Sequence, residues 1–308
     1  MKTVKFVILI WALAAIIAGF FGEVTVAGEY GATTAGFLKI GVGARAAGVG
    51  DAYTAIADDA SAIYWNAAGI SRLDSRQMQF SHYSWYQDIK VENFFAVFPG
   101  QRISFGAGIT YLDYGDFQSY DVDGDPGDQL SMYNLVAAFS AAGNINETFS
   151  IGVTAKYIEQ SFDIVKGSAF AGDIGLMAEF DKLRFGLAAV NFGSKMKFIQ
   201  QEDELPAAIR VGVSLREFGD RALFTIEAHA PIKGRLTLHQ GVEFKINDQL
   251  YARTGAVYRT NTLQDMNALS FNLGAGLVYG VGRFDYTFIP SDEYGSQAVH
   301  NLTLSVGW

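Results

Sequence analysis

From Gln77 to Trp308 apolar and non-apolar residues alternate almost without pause. Period-two patterning puts successive side chains on opposite faces of an extended chain, so each segment presents one apolar face and one polar or small face. Arg210-Val211-Gly212-Val213-Ser214-Leu215 shows it, as do Ala222 to His229 and Asn301 to Trp308. Fourteen such runs follow one another, near 77–86, 90–98, 102–112, 130–142, 147–160, 168–180, 182–192, 205–216, 221–230, 235–247, 249–258, 268–279, 282–290 and 298–308. Most are about 9–13 residues long, close to what a tilted strand needs to cross a bilayer. The connections alternate as well. One set is short: 99–101, 142–146, Asp181, 217–220, Asp248 and 280–281. The other includes the longer stretches 113–129, 193–204, 259–267 and 291–297, with shorter ones at 87–89, 161–167 and 231–234. Short turns at one end and long loops at the other predict a transmembrane barrel with both termini on the short-turn side.

Alternation alone does not separate a membrane barrel from a soluble sandwich, so composition has to decide. Charged residues are 18% of the chain, against roughly 25% in an ordinary soluble domain. The non-apolar faces carry mostly Gly, Ser, Thr, Asn and Ala, with scattered charges at Asp173, Glu179, Arg184, Arg210, Glu227, Glu243, Lys245 and Asp285. That suits a crowded polar lumen. Phe185, Leu187, Phe224, Ile226, Phe244, Phe271, Leu273, Phe284 and Phe288 then face lipid. In hydrocarbon every backbone N–H and C=O needs a partner, so the sheet has to close. Net charge is −9 and cysteine is absent. The acidic balance argues against nucleic acid as a partner. Zero cysteine excludes disulfides, cysteine-held metals and thiol catalysis.

Residues 1–27 read as a secretory signal: Lys2 and Lys5, an apolar stretch from Val7 to Phe21, and small residues at Thr25-Val26-Ala27. An uncleaved anchor is the alternative, since the apolar stretch approaches spanning length. Residues 28–76 are Ala- and Gly-rich without strict alternation, and 77–308 form the barrel. The last strand ends Leu302-x-Leu304-x-Val306-x-Trp308. It resembles the C-terminal signal by which outer-membrane barrels are inserted, with Trp where Phe is usual. Tyr83, Trp85, Tyr86, Tyr111, Tyr114, Tyr157, Tyr251, Tyr258, Tyr279 and Tyr286 lie near strand ends, as interfacial girdles require.

The region 34–70 combines Gly43-Ala44-Arg45-Ala46, Ala57-Asp58-Asp59-Ala60 and Trp65-Asn66-Ala67-Ala68-Gly69. Its small residues permit tight backbone packing, which a segment filling a barrel needs. Ala44 to Ala57 is a candidate helix, with a second turn to Trp65 capped by Asp58 or Asp59. The stretch resembles the PorV/PorQ family of outer-membrane proteins, relatives of the FadL-type fatty-acid transporters. The family motif is Asn-Pro-Ala-Gly, and Ala67 stands where Pro is normal. The resemblance implies a fourteen-stranded barrel in the bacterial outer membrane with an N-terminal plug. It also implies a role, in the first place docking of secreted protein cargo or machinery in type IX-like secretion, with passive passage of hydrophobic small molecules as the alternative.

Candidate chemistry is sparse. His82, His229, His239 and His300 show no metal spacing. No nucleophile, base and orienting group form a motif, so a non-enzymatic protein is expected. Asp121, Asp123, Asp125 and Asp128 alternate with Gly in one loop, which reads as a solvated acidic loop or, less simply, an oxygen cage for Ca²⁺ without the EF-hand glutamate. No cofactor is expected. Gly41-x-Gly43 and Gly48-x-Gly50 lack a strand–helix unit and read as packing positions. A buried cation must be paired, so Arg45 is expected on a carboxylate, with Asp58, Asp59, Asp173, Glu179 and Glu227 as candidates. Phe37, Leu38 and Tyr53 are candidate ligand-pocket residues, or plug packing. Gly106-Ala107-Gly108 is a candidate kink in the wall. The expected fold is all-β: an antiparallel fourteen-stranded transmembrane barrel with a small helical plug.

Overall fold

The computed structural model describes residues 33–84, 89–121, 123–199, 201–259, 269–290 and 298–308. The 1–27 signal, Trp85, Tyr86, the 291–297 connection and most of the 259–267 connection lie outside the described residues. The strands are β1 (Gln77–Ser84), β2 (Lys90–Phe98), β3 (Ser104–Tyr120), β4 (Pro126–Asn144), β5 (Phe149–Phe162), β6 (Val165–Phe180), β7 (Leu183–Gly193), β8 (Met196–Phe198), β9 (Gln201–Asp203), β10 (Ala208–Glu217), β11 (Ala222–Pro231), β12 (Thr237–Lys245), β13 (Leu250–Arg259), β14 (Leu269–Tyr279), β15 (Gly282–Ile289) and β16 (Val299–Gly307). All but β8 and β9 form one closed antiparallel barrel of fourteen strands. Closure runs between β1 and β16, from Gln77 opposite Gly307 to Ser84 opposite His300. The seam extends one residue further, where Arg76 and Trp308 exchange backbone bonds of 3.0 and 3.1 Å.

The two faces separate as the alternation demands. Phe80, Phe94, Ile109, Phe139, Leu176, Leu187, Phe244, Phe271, Leu273 and Leu304 are exposed on the outside. So continuous an apolar surface belongs in hydrocarbon, not water. Asn93, Thr154, Asp173, Glu227, Glu243, Arg253, Asn272, Asp285, Thr287 and Thr303 are buried inside. Leu302, Leu304, Val306 and Trp308 share the outward face of β16.

Two connections are more structured than their polarity suggests. The stretch 113–129 is largely strand: β3 and β4 run on to Tyr120 and from Pro126, with Phe117 opposite Leu130 and Gln118 opposite Gln129. The ladder shifts register between Asp113 and Asp116 and again between Gln118 and Tyr120. A strand that has left the bilayer no longer needs an apolar face, so its alternation vanishes while its hydrogen bonds persist. The 193–204 connection carries the β8–β9 hairpin, with Met196 opposite Asp203.

Residues 34–73 pack against the inner wall of the barrel. They contain α1 (Ala44–Gly48), α2 (Ala62–Trp65) and 3-10 turns at Gly36–Lys39 and Ala67–Arg72. The helix expected over 44–57 ends at Gly48, because Gly50 and Asp51 take left-handed φ of 68° and 62°. Neither aspartate caps α2. Asp59 instead accepts from the Ser61 backbone N at 3.0 Å, and Ser61 is the N-cap. The candidate kink at Gly106-Ala107-Gly108 is also corrected: β3 pairs without a break on both sides there. A Cβ on Gly106 would lie 2.9 Å from the Ile63 side chain, and one on Gly108 would overlap the Phe95 ring. Glycine is needed at these positions for close approach, not for bending.

Candidate functional site

One side of the lumen holds the plug by charge. Arg45, in the first turn of α1, donates from Nε and Nη2 to the two oxygens of Glu243 on β12, at 2.9 and 3.0 Å. Its Nη1 donates to Asp58 and, at 2.9 Å, to the Tyr53 hydroxyl. Asp59 is 3.7 Å away and accepts instead from Tyr53, at 2.5 Å. The bidentate wall partner is therefore Glu243, not Asp173, Glu179 or Glu227. Glu243 is shared with Arg253 at 2.6 Å and Arg283 at 3.4 Å, and those two reach Asp285 at 2.8 Å each. Arg216 adds a further bond to Asp58, at 2.9 Å. Burial alone would raise the Asp58 carboxyl, but Arg45, Arg216 and Arg184 together hold it below its ordinary range. Burial, with Asp59 beside it, pushes the Tyr53 phenol well above its ordinary value, so it stays neutral and donates.

The other expected carboxylates have separate tasks. Glu179 pairs with Arg72 at 2.9 Å and Arg184 at 3.0 Å. Asp173 pairs with Lys156 at 2.6 Å and accepts from the Asn191 N–H at 2.7 Å. Asn191 sits at φ 61°, where the β6–β7 register shifts between Gly172 and Ile174. Glu227 accepts from the Thr54 backbone N at 2.8 Å. Asp51 faces Arg210 and Arg259, yet burial outweighs their pull and lifts its carboxyl to about 6. The plug backbone touches the wall so closely here that a Cβ on Gly255 would overlap Gly50.

The opposite side is greasy. Phe37 and Leu38 pack among Val91, Leu112, Val136, Ile158, Ala169 and Ala171 of β2–β6, all pointing inward, and Met196 of the 193–204 connection and Leu205 just after it join them. Phe37 and Leu38 are 7% and 4% exposed. Thr34 and Ala35 tie the segment to Gln160 at 3.0 and 3.1 Å. Between Phe37, Leu38 and the wall remains an apolar-lined cavity of about 20 Å³, with Lys156 at its edge, which is room for a single water. Tyr53 does not line it and belongs to the Arg45 cluster. The alternation concealed this patch, because on these strands both faces are apolar. Tyr111-Leu112 and Leu135-Val136-Ala137 are the visible trace.

Other candidates fall apart in space. His229 and His239 stand together with ring centres 6.2 Å apart, and His239 contacts the Gly50 carbonyl at 2.7 Å. His82 and His300 face outward against Glu92 and Tyr286. Tyr83, Tyr114 and Tyr251 point inward rather than into a girdle: two pack on the greasy patch and Tyr251 lies under Arg283. Asp121 accepts from the Asp123 and Asp125 backbone N–H groups at 2.9 Å, closing the β3–β4 turn. Among the described residues Asp123, Asp125 and Asp128 do not gather with it into a metal-holding group.

The fold is shared with solved barrels. CymD, a monoaromatic hydrocarbon channel, superposes with a TM-score of 0.64 at 14% identity, covering 87% of this chain and 98% of that one. The Pseudomonas putida toluene transporter TodX gives 0.58 at 12% identity, with 81% and 94% covered. A Pseudomonas aeruginosa FadL homologue gives 0.54 at 13% identity, with 83% and 95% covered. Among curated proteins no sequence match is found. Residues 27–197 match the Uncharacterised protein family UPF0164, more than half of the chain. This plugged, FadL-like fourteen-stranded barrel is therefore a member of the UPF0164 family.

Proposed function

We propose that the protein is a non-enzymatic channel of the bacterial outer membrane that passes hydrophobic small molecules without an energy source. The observation that carries this is the greasy patch of β2–β6 around Phe37 and Leu38, at the end of the lumen away from the short turns. A solute partitioning there meets Phe37 and Leu38. An aromatic ring buries roughly 150–250 Å², and at about 25 cal/mol per Å² this stabilises it by roughly 4–6 kcal/mol. Removing Phe37 from the same wall costs a similar amount, so guest and side chain exchange at small net cost. The matched hydrocarbon channels support this reading. Docking of secreted cargo has no counterpart among them.

The test is uptake of labelled toluene and of a twelve-carbon fatty acid by outer-membrane vesicles rich in lipopolysaccharide. Vesicles holding the protein should load several-fold faster than empty ones, and Leu112→Asn should remove most of the gain. Loading equal to that of empty vesicles for both probes overturns the proposal.

A further inference from the structure

The outer face contains one polar spot where none is expected. Gln240 on β12 and Thr254 on β13 are exposed on the lipid side, mid-strand. Their neighbours along the same face are Leu238, Val242, Ala252 and Ala256. The outward side chains of His82, His300 and Glu159 are paired within the chain, with Glu92, with Tyr286, and with Tyr133 and Tyr157. The Gln240 amide has no such partner within the chain among the described residues. An amide facing hydrocarbon unpaired is costly. Gln240 and Thr254 also line one concavity of about 370 Å³, bounded by Leu215, Phe224 and Phe271.

We propose that this face is where two copies of the chain meet in the membrane. A carboxamide carries both donor and acceptor, so one copy's Gln240 satisfies the other's across a two-fold axis, the contact that an isologous dimer requires. The Phe224 and Phe271 ridges of each copy enter the hollow of the other. An acyl chain offers an amide nothing, and headgroups lie at the bilayer surface. A second outer trough, of about 650 Å³, is lined by Ala96, Ala107, Ala137 and Ala155, and the Tyr157 hydroxyl at its edge is already paired with Glu159. It is the internal control.

The chain lacks cysteine, so an introduced thiol is unique. Val242→Cys places one inside the concavity and leaves Gln240 intact. Ala137→Cys places one in the control trough. In native membranes a short bis-maleimide should give a covalent dimer with Val242→Cys about tenfold more than with Ala137→Cys. Adding Gln240→Leu to Val242→Cys should cut the yield by about the same factor, while heat-modifiable migration stays that of a folded barrel. Equal yields at the two positions, a yield unaffected by Gln240→Leu, or a native mass of one chain carrying lipid each overturn the proposal.

Discussion

The two sides of the lumen hold the same plug by different physics. On β10–β16 the strands are 8–11 residues long and their inner faces carry Glu243, Arg253, Arg283 and Asp285, which lock onto Arg45. On β3–β6 they are 14–19 residues long and their inner faces turn apolar toward the long-loop end, against Phe37 and Leu38. At about 3.3 Å per residue, six extra residues lengthen those strands by roughly 20 Å. Buried ion pairs are directional, and breaking one leaves an unpaired charge. Apolar contact is non-directional and a greasy solute can substitute for it. The plug is thus pinned on one side and exchangeable on the other, and motion during transport is expected at residues 34–40 rather than at α1.

Removing the pin should have the largest effect. Glu243→Ala leaves Arg45, Arg253 and Arg283 short of their common carboxylate and should cost about 3–5 kcal/mol, read as a lower urea midpoint for plug and barrel together. If Glu243→Ala unfolds at the wild-type midpoint, the charged side is not the anchor.

A pH titration comes next. The Asp51 carboxyl lies at about 6 in the folded chain against an ordinary 3.8. The folded state therefore favours its protonated form. That contribution is complete below about 3.8 and is lost as pH rises through about 6. The difference is about two units, or at most about 3 kcal/mol. Hydrogen exchange of amides 49–53 should quicken from pH 4 to 7 beyond the intrinsic chemical rate, and Asp51→Asn should flatten that excess. An unchanged excess in Asp51→Asn assigns the pH response elsewhere.

Gly255→Val adds bulk where the Gly50 backbone touches the wall and should cost about 1–3 kcal/mol, with plug amides losing protection before barrel amides. On the greasy side the quantity to read is uptake. Leu112→Asn keeps the side chain's branched outline in a smaller volume and faces the apolar patch with an amide, and it should abolish most of the uptake gain. An uptake rate unchanged by Leu112→Asn would mean that the two sides do not differ in function.

Much of the barrel was legible because hydrocarbon punishes exceptions. Fourteen alternating runs became fourteen paired strands, since each misplaced polar face would have met lipid. Legibility failed where that penalty ends. Residues 113–120 and 126–129 pair with polar side chains on both faces and two register shifts, so their pairing left no periodic trace. Arg45 was recognisable as a cation needing a partner, but Glu243 was one lumen carboxylate among several and stood 198 residues away in sequence. Tyr53 read as pocket lining and became part of the charge cluster.

By itself the sequence determined that the chain is a sealed antiparallel barrel with a small-residue plug, because period two and the lack of exposed charge admit few other solutions. Which carboxylate receives Arg45, where the lumen turns apolar, and how little space Phe37 leaves were decided only when fourteen strands closed at one register. Closure sets the angular position of every inward side chain at once, and no local stretch of sequence contains that angle.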